Sequence, residues 1–139
     1  MTPALRAATW SSTAAVAATG LVYGWMAYLM SPENPMDVVN HPWQPTLQYL
    51  HVLAAPVWLV VFGALWHAHV LPNLGAPARR RSGLVLVALA ILMAASGYLL
   101  QTAVEPWVRR LWIVTHVATS LAWLLVLAVH VMTRLPRTA

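Results

Sequence analysis

An all-α membrane fold, a transmembrane four-helix up-and-down bundle with both termini cytoplasmic, is the architecture this sequence predicts. Three observations predict it. The 139 residues are 60% hydrophobic and only 8% charged, with a mean hydropathy of +0.68, which is more apolar surface than so short a chain can bury in water. The apolar residues gather into four runs of about 20, the length that crosses a hydrocarbon core of about 30 Å. Arginine, the only strongly basic residue type present, lies mostly at one end of those runs.

The four expected spans run approximately from Ala7 to Met30, Leu47 to Leu71, Gly83 to Val104 and Val108 to Met132. Turn residues separate them: Ser31-Pro32-Glu33-Asn34-Pro35, Leu71-Pro72-Asn73-Leu74-Gly75-Ala76-Pro77, and Glu105-Pro106. No soluble domain is left over, so residues 1–139 read as a single four-helix transmembrane domain. Arg6 is followed by small residues rather than by the compact apolar stretch and cleavage site of a signal peptide. The first span carries Gly20-Leu21-Val22-Tyr23-Gly24, a small-xxx-small pattern that lets another helix approach closely, within the bundle or across to a partner.

Orientation follows from the arginines. Arg6, Arg79-Arg80-Arg81, Arg134 and Arg137 fall on one side if both termini are inside, and Glu33, Asp37 and Glu105 fall on the other. Arg109 and Arg110 break the trend and require a reason. Trp43, Trp107 and Trp112 near the outer boundary, with Trp10 and Trp66 near the inner one, read as interfacial anchors. A bacterial inner (cytoplasmic) membrane is the expected location. The net charge of +5 reflects topology and anion pairing, and no nucleic-acid partner is expected. Without cysteine, thiolate metal sites, iron–sulfur clusters and covalent haem attachment are excluded.

Five histidines, His51, His67, His69, His116 and His130, occupy the second and fourth spans or their ends. Ionisable groups in membrane helices are costly and by default functional, and imidazole is the usual axial ligand of haem iron. His116 and His130 stand fourteen apart, which on a helix returns to within about 40° of one face and displaces them by about 21 Å. The second span runs parallel to the fourth, with His51 level with His116. His69, eighteen positions after His51, returns to the same face after five turns, about 27 Å away, whereas His67 points about 160° aside. His69 is therefore the preferred inner ligand opposite His130, and His67 its competitor: a π-bulge or kink around Pro56 would rotate His67 into place. His51, His69, His116 and His130 form the expected metal-ligating set. Interhelical hydrogen bonding is the alternative use for such imidazoles. His41, beside Pro42 in the outer loop, reads as a solvated residue rather than a ligand.

Arg109, seven before His116, and Arg134, four after His130, lie about 10 Å and 6 Å beyond those rings. Both are candidate partners for haem propionates, since arginine binds carboxylates through charge-assisted bidentate bonds. Met93-Ala94-Ala95-Ser96-Gly97-Tyr98-Leu99-Leu100 is a small-residue patch open to a flat macrocycle or to a neighbouring helix.

From His51 to Val131, through Gly63, Ser96-Gly97-Tyr98-Leu99-Leu100 and the His116/His130 pair, the chain resembles the bacterial membrane di-haem cytochrome b superfamily, the four-helix cytochrome b subunits of respiratory oxidoreductases. The resemblance implies two bis-histidine haems b stacked across the membrane, exchanging electrons with a quinone pool and a partner redox protein. His116 and His130 carry over as one ligand to each. The first span lacks histidine, which favours both haems lying between the second and fourth helices, and the second-span spacing of sixteen or eighteen departs from the usual thirteen or fourteen.

The leading expectation is a haem b-containing electron-transfer subunit of an oxidoreductase complex, whose partner is a periplasmic or membrane redox subunit such as a c-type cytochrome. A self-contained quinone-reactive membrane oxidoreductase, with Gln48, Gln101 or Tyr98 near the quinone, and a haem-free structural membrane subunit are the alternatives. The outer loop, from about Ser31 to Thr46, exceeds the two to eight residues of an ordinary helix connection. It bears Glu33 and Asp37 but no basic residue, and is expected to form part of the partner's docking surface.

Overall fold

In the computed structural model, which describes residues 1–34, 36–75 and 80–132, four long helices account for the chain: α1 (Pro3–Tyr28), α2 (Gln44–Asn73), α3 (Arg80–Thr102) and α4 (Pro106–Met132). Each contains most of one expected span. Prolines open three of them, where a missing N–H costs nothing: Pro3 in α1, Pro45 in α2 and Pro106 in α4. Thr2 caps α1, its hydroxyl accepting from the Leu5 N–H at 3.2 Å.

Three of the helices, α2, α3 and α4, are long and apolar enough to cross a membrane. The α1 helix has the length, at 26 residues, but its Ser and Thr residues lower its hydropathy. Those hydroxyls are largely satisfied within the helix: Thr9 donates to Leu5 O, Ser11 to Ala8 O, Ser12 to Thr9 O and Thr19 to Ala15 O, so α1 presents less polarity to its surroundings than its composition suggests.

The chain divides into two compact units, Met1–Pro72 and Asn73–Ala139. In the first, α1 packs on α2; in the second, α3 packs on α4. Each is a helical hairpin with one buried seam. Trp58 and Met26 are buried in the first seam with Ser12 and Thr13, and Trp123, Ala90, Ser96 and Thr119 in the second. Each tryptophan donates from Nε1 to the opposite helix, Trp58 to Thr13 Oγ1 and Trp123 to Leu86 O, both at 3.1 Å. Trp58 also stacks on Phe62 at 5.1 Å.

The two hairpin loops differ. Residues 103–105 suffice between α3 and α4, whereas residues 29–43 join α1 to α2. The longer loop is stitched at both ends by Asn40. Its side-chain amide donates to Met26 O and Ala27 O, carbonyls of the last turn of α1, and its backbone N–H donates to Gln44 Oε1 at the start of α2.

The α2 helix is not regular throughout. It runs as α-helix over Gln44–Leu65, straight through Pro56, then widens to a π-helix over Trp66–Val70 before a last turn at Leu71–Asn73. The Leu71 N–H donates to Trp66 O, five residues back. Pro72 supplies a cause, because its ring crowds the carbonyl four positions earlier, at Ala68, and a wider turn relieves that clash.

Candidate functional site

Of the histidines expected as ligands, His51 and His116 fall at matching places in the two hairpins, each seven residues before a buried tryptophan. His51 lies on α2 near the 29–43 loop, and its half-buried ring sits against α1. Its Nδ1 is 3.1 Å from Val16 O and 3.3 Å from Thr19 Oγ1. A carbonyl can only accept, so Nδ1 carries the proton. The Thr19 hydroxyl proton is directed to Ala15 O at 2.7 Å, leaving its oxygen to accept from the ring as well. The imidazole is therefore held as the Nδ1–H tautomer, with its basic lone pair on Nε2.

His116, on α4 near the 103–105 loop, repeats this in the other hairpin. Its Nδ1 donates to Met93 O at 2.9 Å and lies 3.4 Å from Ser96 Oγ, whose own proton goes to Met93 O. Again the lone pair is on Nε2. In both hairpins the ring rests on a glycine, Gly20 under His51 and Gly97 under His116, so close that a methyl group at either would lie 2.7 and 2.9 Å from the ring carbon Cε1. The Gly20 half of the Gly20/Gly24 pattern thus accommodates an imidazole, while nothing lies within 4 Å of the corresponding position at Gly24.

His130, two turns beyond Trp123 on the same helix, is also half-buried and sits 2.8 Å from Ser82 Oγ through Nδ1. Gly83 lies beneath it, at a looser 4.0 Å from Cε1. Ser82-Gly83 precedes Ser96-Gly97 by fourteen residues on α3, the same interval as His116 to His130 on α4. A hydroxyl both donates and accepts, so this contact orients the ring without dictating its tautomer.

His67 and His69 both fall in the π-helical stretch. The preference for His69 assumed a regular helix, in which eighteen residues make five turns. A π-turn advances each residue by less than the ~100° of an α-helix, so that arithmetic does not hold there. The irregularity lies at Trp66–Val70 rather than around Pro56. His69 is half-buried and His67 exposed, which now separates them.

His41 is half-buried, and its Nδ1 accepts from the Trp43 N–H at 3.1 Å. The proton of the neutral ring is then on Nε2, the reverse of His51 and His116, and the residue serves the loop's backbone. Arg109 donates from Nη1 to Leu100 O at 3.4 Å, at the C-terminal end of α3. A cation there meets the negative end of the helix dipole, which by itself explains an arginine that breaks the charge trend. Arg134 lies outside the described residues. Among them no group of three or more His, Cys, Asp or Glu is placed to hold a bare metal ion, whereas a pair of axial imidazoles needs no such group. Gln101 donates to Gly97 O, and Tyr98 is exposed on α3.

Trp58 and Trp123 have no signal in the sequence beyond their spacing, each following its hairpin's histidine by seven residues, and both are buried in the seams. Compared with protein families, with curated proteins and with solved structures, the chain finds no match in any of the three.

Proposed function

We propose that this chain is a bis-histidine cytochrome b of the membrane, a haem b-carrying electron-transfer subunit that binds two haems and works between the quinone pool and a partner redox protein. One observation carries the reading. In each hairpin an imidazole inside an apolar segment donates its Nδ1–H to a backbone carbonyl, the arrangement that fixes a histidine as an Nε2 ligand. His51 and His116 are assigned to one haem; His130, with His69 as the half-buried member of the π-helical pair, is assigned to the other. On this reading α1 is a fourth span and both termini lie in the cytoplasm, in keeping with the arginine distribution.

Haem b supplies reversible one-electron chemistry when bound. The protein's part is ligation, burial and orientation of the rings. Arg109 and Arg134 are assigned to the propionates, Arg109 exchanging its contact with Leu100 O for a carboxylate. No nucleotide- or flavin-binding motif accompanies these features in the sequence, so the electrons come from and go to other molecules.

The competing reading, a haem-free structural subunit, is favoured by the same hydrogen bonds, since an imidazole bridging two helices is also adhesive. Purification from native membranes followed by a reduced-minus-oxidised spectrum and a haem assay decides between them. Two haems per chain with six-coordinate, low-spin bands are expected. A ratio near one rejects the di-haem assignment, and a colourless protein rejects the function. Rapid reduction of the isolated chain by quinol would instead favour a self-contained quinone-reactive oxidoreductase.

A further inference from the structure

We infer that the two hairpins are copies of one unit, and that Thr19-Gly20 and Ser96-Gly97 are the positioning residues that set the tautomer and orientation of His51 and His116. The correspondence runs through both helices of each hairpin. On the first helix, Ala17-Ala18-Thr19-Gly20 matches Ala94-Ala95-Ser96-Gly97. In both, the accepting carbonyl stands four residues before the glycine, at Val16 and at Met93, and the hydroxyl residue immediately before it. Seven residues before each glycine lies a buried small side chain, Thr13 or Ala90. On the second helix, the histidine is followed at seven by the buried tryptophan in both copies. Six positions thus recur in register, four on the first helix and two on the second.

The physical device is a close approach. A ring over glycine can come near enough to the first helix for Nδ1 to reach a carbonyl that is already part of that helix's own ladder, and a carbonyl has a second lone pair to offer. Any side chain at Gly20 or Gly97 occupies the ring's place. An added Cβ would also lie 3.0 Å from His51 Nδ1, or 3.1 Å from His116 Nδ1, so the ring must move away from its acceptors. The His130 ring, 4.0 Å from the same construction at Gly83, has room for a methyl group. On α1 the position fourteen before Gly20 is Arg6, so the glycine at Gly83 has no counterpart there.

The role of the cradle in ligation rests on the haem reading, but its existence does not. It is tested on the full chain in nanodiscs, prepared without haem, by 15N NMR of the histidine rings. His51 and His116 are expected as Nδ1–H tautomers. Gly20→Ala should shift the His51 signals alone and Gly97→Ala those of His116 alone, while Gly83→Ala and Gly24→Ala leave all rings unchanged. With haem added, Gly20→Ala and Gly97→Ala should each weaken retention at one site by about 10–100-fold, the usual effect of losing an outer-shell partner, and alter that site's low-spin resonance signature. Should Gly20→Ala fail to fold, Thr19→Val, which keeps the shape and removes the acceptor, is expected to shift the His51 Nδ1 signal, with Thr19→Ser restoring it. An Nε2–H tautomer at either ring in the unmodified protein, or unchanged spectra in Gly20→Ala and Gly97→Ala, overturns the inference. The expected tautomers in a protein that takes up no haem would leave the cradle standing and remove the proposed function.

Discussion

The loop ends of the two hairpins are alike and the termini ends are not. Near the loops, His51 and His116 are each held by a carbonyl, a hydroxyl and a glycine of the neighbouring helix. Toward the termini, His130 rests against the Ser82 hydroxyl, while His67 and His69 share a π-helical turn. A ring fixed to backbone has its geometry written into the helix itself. A ring carried on a π-turn leaves its helix in a different direction from one on a regular α-helix.

The largest expected effects test the likeness. His51→Ala and His116→Ala should each abolish one and the same haem and leave the other, read as half the haem content with one set of low-spin bands remaining. Loss of different haems in the two variants would break the pairing. At the unlike ends, His130→Ala and His69→Ala should remove the second haem, with His67→Ala largely retaining it. If His67 proves the ligand instead, the π-turn has rotated the exposed imidazole into use, and burial within this fold is the wrong guide there.

A smaller effect sharpens the comparison between seams. Trp58 donates to a side chain and Trp123 to a carbonyl, and replacing either by Phe keeps most of the apolar area. Hydrogen bonds between helices in lipid average about 0.6 kcal/mol. Both variants should therefore unfold only slightly more readily in a denaturing-detergent titration, with haem content unchanged. A loss of haem from either would mean that the seven-residue link between His and Trp transmits position as well as packing.

Much of this organisation was legible in residue pattern alone, and the limits have physical causes. Apolar run length located the helices because lipid makes length and hydropathy the governing terms. Histidine in those runs stood out because its cost there is high. The cradles are less visible: the Gly20/Gly24 spacing signals a helix contact, but spacing along one helix does not say that an imidazole from another will fill the gap. The π-turn was beyond helical-wheel arithmetic, which presupposes the regular winding that Pro72 disturbs. The sidedness of Arg109 is visible in the sequence, whereas its contact with the end of α3 depends on the short 103–105 loop bringing Leu100 within reach.

The smallest spectral effect is expected where the hairpins differ most, in the loops. Residues 29–43 could have been replaced by a connection as short as 103–105, so the extra length calls for a use. The loop is anchored, since Asn40 ties it to both α1 and α2, and beyond that anchor it exposes Met36 and Val38 around the exposed acidic Asp37. An acidic segment with exposed apolar side chains suits a basic redox partner, steered by charge and held by apolar contact. Two experiments separate anchor from surface. Asn40→Ala removes two hydrogen bonds to the end of α1 and should lower stability by about 1–2 kcal/mol, leaving both haem spectra intact. Replacing residues 33–38 by a short Gly/Ser link, with Asn40 kept, should leave stability and spectra alike but slow electron exchange with the native partner, most of all at low ionic strength where steering is strongest. An unchanged exchange rate in that variant would reduce the loop to a connector and move the docking surface to another part of the molecule.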